Sequence, residues 1–162
     1  MTMELIGMKQ NRMLLTGFKN SSSKDLLDRI STNYDKFLFT NDYTKIYDEI
    51  DKLFMTKKYD YVIMFGQKPL IKRLSIELIG KQQDKIVETT FSLEPLTDIL
   101  EKNNIDYKLS KNPRTSYCNF AYYNVLKCLE AREMNTKVIF IHIPFKDNFI
   151  QMKEFIKLIN NE

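Results

Sequence analysis

Cysteine is scarce in this chain: 162 residues hold two of them, alongside a single histidine. Two cysteines supply no disulfide framework, and Cys118 and Cys128 stand ten positions apart on one predicted helix, roughly 15 Å along its axis. A bridge needs Cα atoms within about 7 Å, so both are read as free thiols, suited to a reducing compartment. Long apolar runs are missing too. No stretch approaches the roughly 18 apolar residues of a membrane span, and residues 1–12 lack the continuous apolar core of a signal peptide. The expectation is a cytoplasmic protein with no membrane partner. Charge of one sign is nowhere massed. The 25 basic and 21 acidic residues leave a net charge of +4, too small and too interspersed to argue for nucleic acid. Internal repeats, low-complexity tracts and linkers are also lacking.

What is present is a globular composition. Hydrophobic residues make up 43% and aromatics 12%, which argues against disorder, and the length suits one domain over residues 1–162. A short apolar run at 13–16 ends at Gly17-Phe18 and reads as a strand and turn. Asn20 to Ser23 offer small polar caps to a helix at 24–30. Residues 36–40 read as a second strand, and Tyr43, Ile46, Tyr47, Ile50, Leu53 and Phe54 trace one stripe of a helix. The apolar run 61–65, closed by Gly66, reads as a strand buried on both faces. Residues 67–90 are punctuated by Pro69 and Gly80 and are locally basic. They read as loop with one or two short edge strands, their lysines (68, 72, 81 and 85) on a solvated face; bordering a cleft instead, they would favour an anionic substrate. A helix beginning near Pro95, a strand at 106–109, a helix at 120–134, a strand at 138–143 and a final helix from Phe149 to Ile159 complete the chain. Strands alternating with helices imply a three-layer α/β/α sandwich around a mostly parallel central sheet.

Chemistry concentrates in two places. Cys118 falls at or just before the start of the 120–134 helix, where unpaired N–H groups and the positive end of the macrodipole favour a thiolate. His142 falls at the C-terminal end of a strand, the edge at which ligands bind in open α/β sheets. Together they suggest a thiol nucleophile and its base. Taken singly, each has a plainer reading: a cysteine there is often a small hydrophobe, and a lone histidine is often structural. Cys128 reads as core. Any of the 21 carboxylates could serve as the partner of the imidazole, and the residues themselves select none.

Five segments in order select more. Leu14-Leu15-Thr16-Gly17-Phe18, Tyr61-Val62-Ile63-Met64-Phe65-Gly66-Gln67, Ser75-Ile76-Glu77, Cys118-Asn119 and Phe140-Ile141-His142-Ile143-Pro144 together resemble the pyroglutamyl-peptidase I family, also called pyrrolidone-carboxylate peptidases. The resemblance runs over most of the chain. It implies a cytosolic cysteine peptidase of α/β/α fold that removes an N-terminal pyroglutamyl group with a Cys–His–Glu triad and needs no cofactor or metal. By that resemblance Cys118 is the nucleophile, His142 the general base and Glu77 the carboxylate that orients the imidazole. Phe18 and Gln67 would bind substrate, a small peptide or amide. Members often self-associate, which leaves a homo-oligomer open.

The chain departs from the family at the pocket. Asn20 to Ser23 replace a Pro-Phe-Gly-Gly pattern, so Ser21 stands for the second pocket aromatic. Ser116 replaces the aromatic two residues before the nucleophile, and Leu78 replaces the arginine after the glutamate. Lys68-Pro69-Leu70-Ile71 takes the place of small residues and an arginine after Gln67, and the stretch between Glu77 and Leu93 is much shorter. These changes suggest an alternative: a relative that keeps the fold and binds a small amide or peptide without turning it over.

Overall fold

The computed structural model describes residues 12–145 and 147–162; apart from Arg12, the stretch considered for a signal peptide lies outside them. A six-stranded sheet is built from β1 (Met13–Phe18), β2 (Asp35–Phe39), β3 (Tyr61–Gln67), β4 (Leu74–Glu77), β7 (Tyr107–Ser110) and β8 (Lys137–Ile143). Its order is β2-β1-β3-β8-β4-β7. All neighbours run parallel except β4 and β8, which are antiparallel. The helices are α1 (Ser22–Arg29), α2 (Ile46–Thr56), α3 (Leu93–Lys102), α4 (Tyr117–Ala131) and α5 (Met152–Ile159). Among the described residues, no helix is long and apolar enough to cross a membrane.

Period-two alternation sorts the sheet into two faces. Along β8, Ile139, Ile141 and Ile143 join the core beneath α1, α3 and α5, where Leu27, Leu100 and Phe155 are buried. Val138 and Phe140 point the other way, into the core beneath α2 and α4. Helix α4 meets that face with Ala121, Tyr122, Val125, Leu126 and Leu129, the three- and four-residue spacing that its sequence shows. His142 continues the Val138–Phe140 series, so its ring emerges on the α4 side.

The region read as loop and edge strands holds three strands. Only β5 (Ile79–Gln82) and β6 (Lys85–Glu88) lie apart, as a two-stranded antiparallel hairpin. Strand β4 is interior, flanked by β8 and β7, and all four of its residues are buried. Lys72 and Arg73 sit in the bend just before it, and Lys81 and Lys85 belong to β5 and β6 just after it, which masked a four-residue strand in the sequence. The hairpin packs on α4, and the two are fastened at one point: Asn119 Oδ1 accepts from the Lys81 N–H at 3.0 Å, and its Nδ2 donates to the Lys81 carbonyl at 2.7 Å. Gly80 permits the approach, since a Cβ there would stand 2.8 Å from the Tyr123 Cα. Tyr43 and Tyr47, assigned to the buried stripe of α2, are instead about half exposed, at 52% each, and Tyr43 precedes the helix.

Candidate active site

Antiparallel pairing of β4 with β8 brings the carboxylate to the histidine. Ser75 is opposite His142 and Glu77 is opposite Phe140, so Glu77 is the diagonal neighbour of His142 on one face. Such neighbours are about 7–8 Å apart at the backbone, within reach of long side chains. The two close to a hydrogen bond of 2.8 Å between His142 Nδ1 and Glu77 Oε1. Ser75 Oγ donates to the same oxygen at 2.9 Å, and the nearby Ser110 hydroxyl also favours the charged carboxylate. Burial works against the charge on Glu77, but His142, Ser110 and Ser75 together outweigh it and hold its carboxyl below the usual 4.5. An ionised carboxylate only accepts, so Nδ1 carries the imidazole proton and Nε2 is left with a lone pair. Tyr122, buried in α4, donates its hydroxyl to the Glu77 carbonyl at 2.8 Å and locks the strand to the helix.

Cys118 is the second residue of α4. Ser116 caps the helix, its Oγ accepting from the Asn119 N–H at 3.2 Å. The Cys118 N–H is one of the donors that a helix start leaves without an intrahelical acceptor, so it is free to meet a developing oxyanion. The thiol rests on Gly66. A Cβ there would come within 2.7 Å of Cys118 Sγ and 2.6 Å of the Phe140 ring, so bare backbone lets the sulfur settle against the sheet. The ring of Phe140 in turn lies 4.7 Å from that of His142, centroid to centroid.

The helix start does not lower the thiol as expected from sequence. Burial pushes Cys118 up to about 12; its own N–H pulls the other way, and the charge of Glu77 adds to the rise. A resting thiol, rather than a thiolate, occupies the site. Among the described residues it makes no hydrogen bond to the imidazole. Cys128 is also free; read as core, it is instead partly buried, packed against the edge of the α2–α4 core.

Cys118, His142 and Glu77 line one cavity of about 220 Å³. Gln67 also lines it, but its Oε1 is committed to the N-terminus of α1, accepting from Ser22 N–H and Ser22 Oγ at 2.7 Å each. Phe18, expected at the pocket, is a correction. It is 2% exposed and packs on Phe39, Tyr117 and Phe140, behind the wall rather than on it, because its side chain points into the α2–α4 core. Ser21 caps α1, and Leu78 is buried in the opposite core. Lys68, read as part of a solvated face, lines the cavity. Ser75, Ser110 and Tyr122 were also missed; the polar–apolar alternation Ser75-Ile76-Glu77 was the available signal for the first. Among the described residues, no cluster of His, Cys, Asp and Glu could hold a metal ion.

Sheet, helices and strand polarity define a protein of the pyrrolidone carboxyl peptidase fold. The enzyme of that name from Thermus thermophilus superposes with a TM-score of 0.77 at 15% identity, over 91% of this chain and 96% of its own. That from Thermococcus litoralis gives 0.77 at 17% identity, over 93% and 90%. In sequence, the pyrrolidone-carboxylate peptidase of Thermosipho melanesiensis is 24% identical, over 70% of this chain and 67% of the relative. That of Fusobacterium nucleatum is 26% identical, over 64% and 58%, so the match spans little more than half of the latter's length. No family profile matches. In sequence and in fold, this chain is similar to the pyrrolidone-carboxylate peptidases.

Proposed function

We propose that the protein is a cysteine peptidase that hydrolyses the amide bond after an N-terminal pyroglutamyl or related cyclic or acyl group. The observation that carries this reading is the 2.8 Å His142–Glu77 bond in the cavity that also holds Cys118. Glu77 keeps the proton on Nδ1, which leaves Nε2 as the base. As Sγ bonds to the scissile carbonyl carbon, Nε2 takes the thiol proton and the carbonyl π electrons move to oxygen, beside the Cys118 N–H. Collapse of that adduct breaks the C–N bond, and the imidazolium returns its proton to the leaving amine. Water then attacks the thioester with Nε2 again as base, which releases the acid and restores the thiol.

Because the resting thiol is protonated, activation is by general base during attack rather than by a preformed ion pair. Substrate entering the cavity is what brings sulfur and nitrogen together; catalytic hydrogen bonds are often long before substrate binds. A volume of about 220 Å³ is below the usual range for ligand pockets, about 300–1,000 Å³, and suits one residue-sized acyl group. The test is release of chromophore from a pyroglutamyl amide by wild type and by Cys118→Ala. Turnover by wild type that disappears in the variant supports the mechanism, and equal rates refute it. The raised thiol favours a second reading, a relative that binds such ligands without hydrolysis. Saturable binding of the amide with no chromophore release distinguishes it.

A further inference from the structure

The cavity wall carries two cations that the triad does not use. Lys68 follows the last residue of β3, and its Nζ stands 3.8 Å from Glu77 Oε1, with the side chain 22% exposed. That separation is an ion-pair distance and too long for a hydrogen bond. Among the described residues, no acceptor takes any of the three ammonium protons of Lys68 within hydrogen-bond distance. Arg114, exposed on the loop that leads into α4, lines the same cavity, and its guanidinium pairs with no carboxylate among the described residues. Among the described residues, Glu77 is the one carboxylate on this wall, and it is already engaged by His142 and Ser75. A neutral ligand filling the cavity would strip water from the Lys68 ammonium and return no acceptor for it, which is costly. An anionic ligand supplies that acceptor, and Arg114 at the rim adds a planar fork suited to a carboxylate.

We infer that the site takes a small amide bearing a carboxylate within a few bonds of the scissile carbonyl, with Lys68 as the residue that selects it. The inference rests on the thiol-hydrolase reading for the identity of the scissile bond, but the charge preference belongs to the cavity itself. The carboxylate can sit on the acyl part or be the free terminus of the leaving amino acid.

Binding is tested first, because it does not need turnover. Titration calorimetry compares succinamate, which carries an amide and a carboxylate, with succinamide, its neutral isostere. Wild type should bind succinamate at least tenfold more tightly, the scale of one charge-assisted hydrogen bond, and the preference should shrink in 0.5 M salt. Lys68→Gln should abolish it, and Arg114→Gln, on an exposed loop where folding is not at risk, should weaken it severalfold. Comparable affinities for the two ligands in wild type, no binding of either, or a preference that Lys68→Gln leaves intact would overturn the inference.

Hydrolysis then locates the charge. Pyroglutamyl-alanine against pyroglutamyl-alanine amide tests the leaving side. N-succinyl-alanine amide against N-butanoyl-alanine amide tests the acyl side. A tenfold preference for the anionic member of one pair supports the inference and identifies the side, and faster turnover of the neutral member in both pairs counts against it. Charge-selective binding with no hydrolysis of any of the four compounds keeps this inference and sinks the hydrolase reading instead.

Discussion

Alkylation of Cys118 is the sharpest probe of how the site works. An ordinary thiol titrates at 9.0, whereas burial pushes this one to about 12. At pH 7 the thiolate fraction therefore falls from about 1% to about 0.001%, a thousandfold loss of the reactive form. The perturbation is iodoacetamide applied to a Cys128→Ala variant, which leaves Cys118 as the sole thiol. The second-order rate is followed from pH 6 to 11 by mass spectrometry. Since absolute rates also depend on access, the informative quantity is the shape. The logarithm of the rate should climb with unit slope and show no plateau below pH 10. Adding Glu77→Gln removes a negative charge that raises the thiol and should shift the curve toward lower pH. A plateau reached by pH 8 would mean that thiolate and imidazolium already coexist in the free protein, and the general-base account would fail. Stability gives an independent reading of the same shift. A thiol raised on folding contributes stability that is fully present below 9.0 and is lost as pH climbs toward 12. Denaturant midpoints of the Cys128→Ala protein should therefore fall more steeply above pH 9 than those of a variant that also carries Cys118→Ala.

Further outcomes follow from the same geometry. Glu77→Gln can no longer hold His142 in one tautomer and should lower kcat on a pyroglutamyl amide about a hundredfold or more; unchanged kcat would remove Glu77 from the mechanism. Because hydrogen bonds hold the Glu77 carboxyl below 4.5, its stabilising contribution is present above that pH and is lost as pH falls through the lower folded value, so Glu77→Gln should flatten the acid limb of a stability curve. Gly66→Ala places a Cβ 2.6 Å from the Phe140 ring and 2.7 Å from Cys118 Sγ and should cost about 1–3 kcal/mol in urea unfolding; a neutral result would show that the thiol does not rest on the strand. Ser116→Ala removes the cap of α4 and should cost about 1 kcal/mol, read as a lowered melting temperature.

The layers of the fold were legible because burial imposes periodicity. The apolar run 61–65 and the alternation in β8 each have one physical solution in a covered parallel sheet, and β3 and β8 are central strands. His142 was placed correctly at a strand end for the same reason. Strand β4 was not legible: at four residues, Leu74–Glu77, it is too short for a pattern to stand out between the basic bend before it and the hairpin after it. Its direction, which brings Glu77 to His142, is a property of the assembled sheet. Local structure alone does not set the state of Cys118. A helix start favours the thiolate by at most about 2 kcal/mol, and the desolvation imposed by Gly66, Phe140 and the sheet beneath is larger. Composition leaves Lys68 between solvent and cleft; its backbone N–H, which donates to the Ile143 carbonyl at 2.9 Å, fixes it beside the tip of β8.

One antiparallel strand decides what this site can do. In a fully parallel sheet, the residue beside His142 would come from a strand running the same way, and the next position would project beyond the sheet edge. Reversing β4 lets Ser75 and Glu77 lie opposite His142 and Phe140, so the carboxylate approaches from the buried side while Nε2 keeps its lone pair for the cavity. The same reversal places the Glu77 carbonyl under Tyr122, four residues after Cys118 on α4. Cys118 and Glu77 are thus fastened to each other through one buried phenol. Tyr122→Phe removes the bond to that carbonyl, which costs about 0.5–1.5 kcal/mol, and frees the start of α4 to shift over the strand. The effect should therefore divide between unfolding free energy and kcat, with KM little changed. A loss of stability with kcat intact would show that the phenol holds the fold but does not set the site.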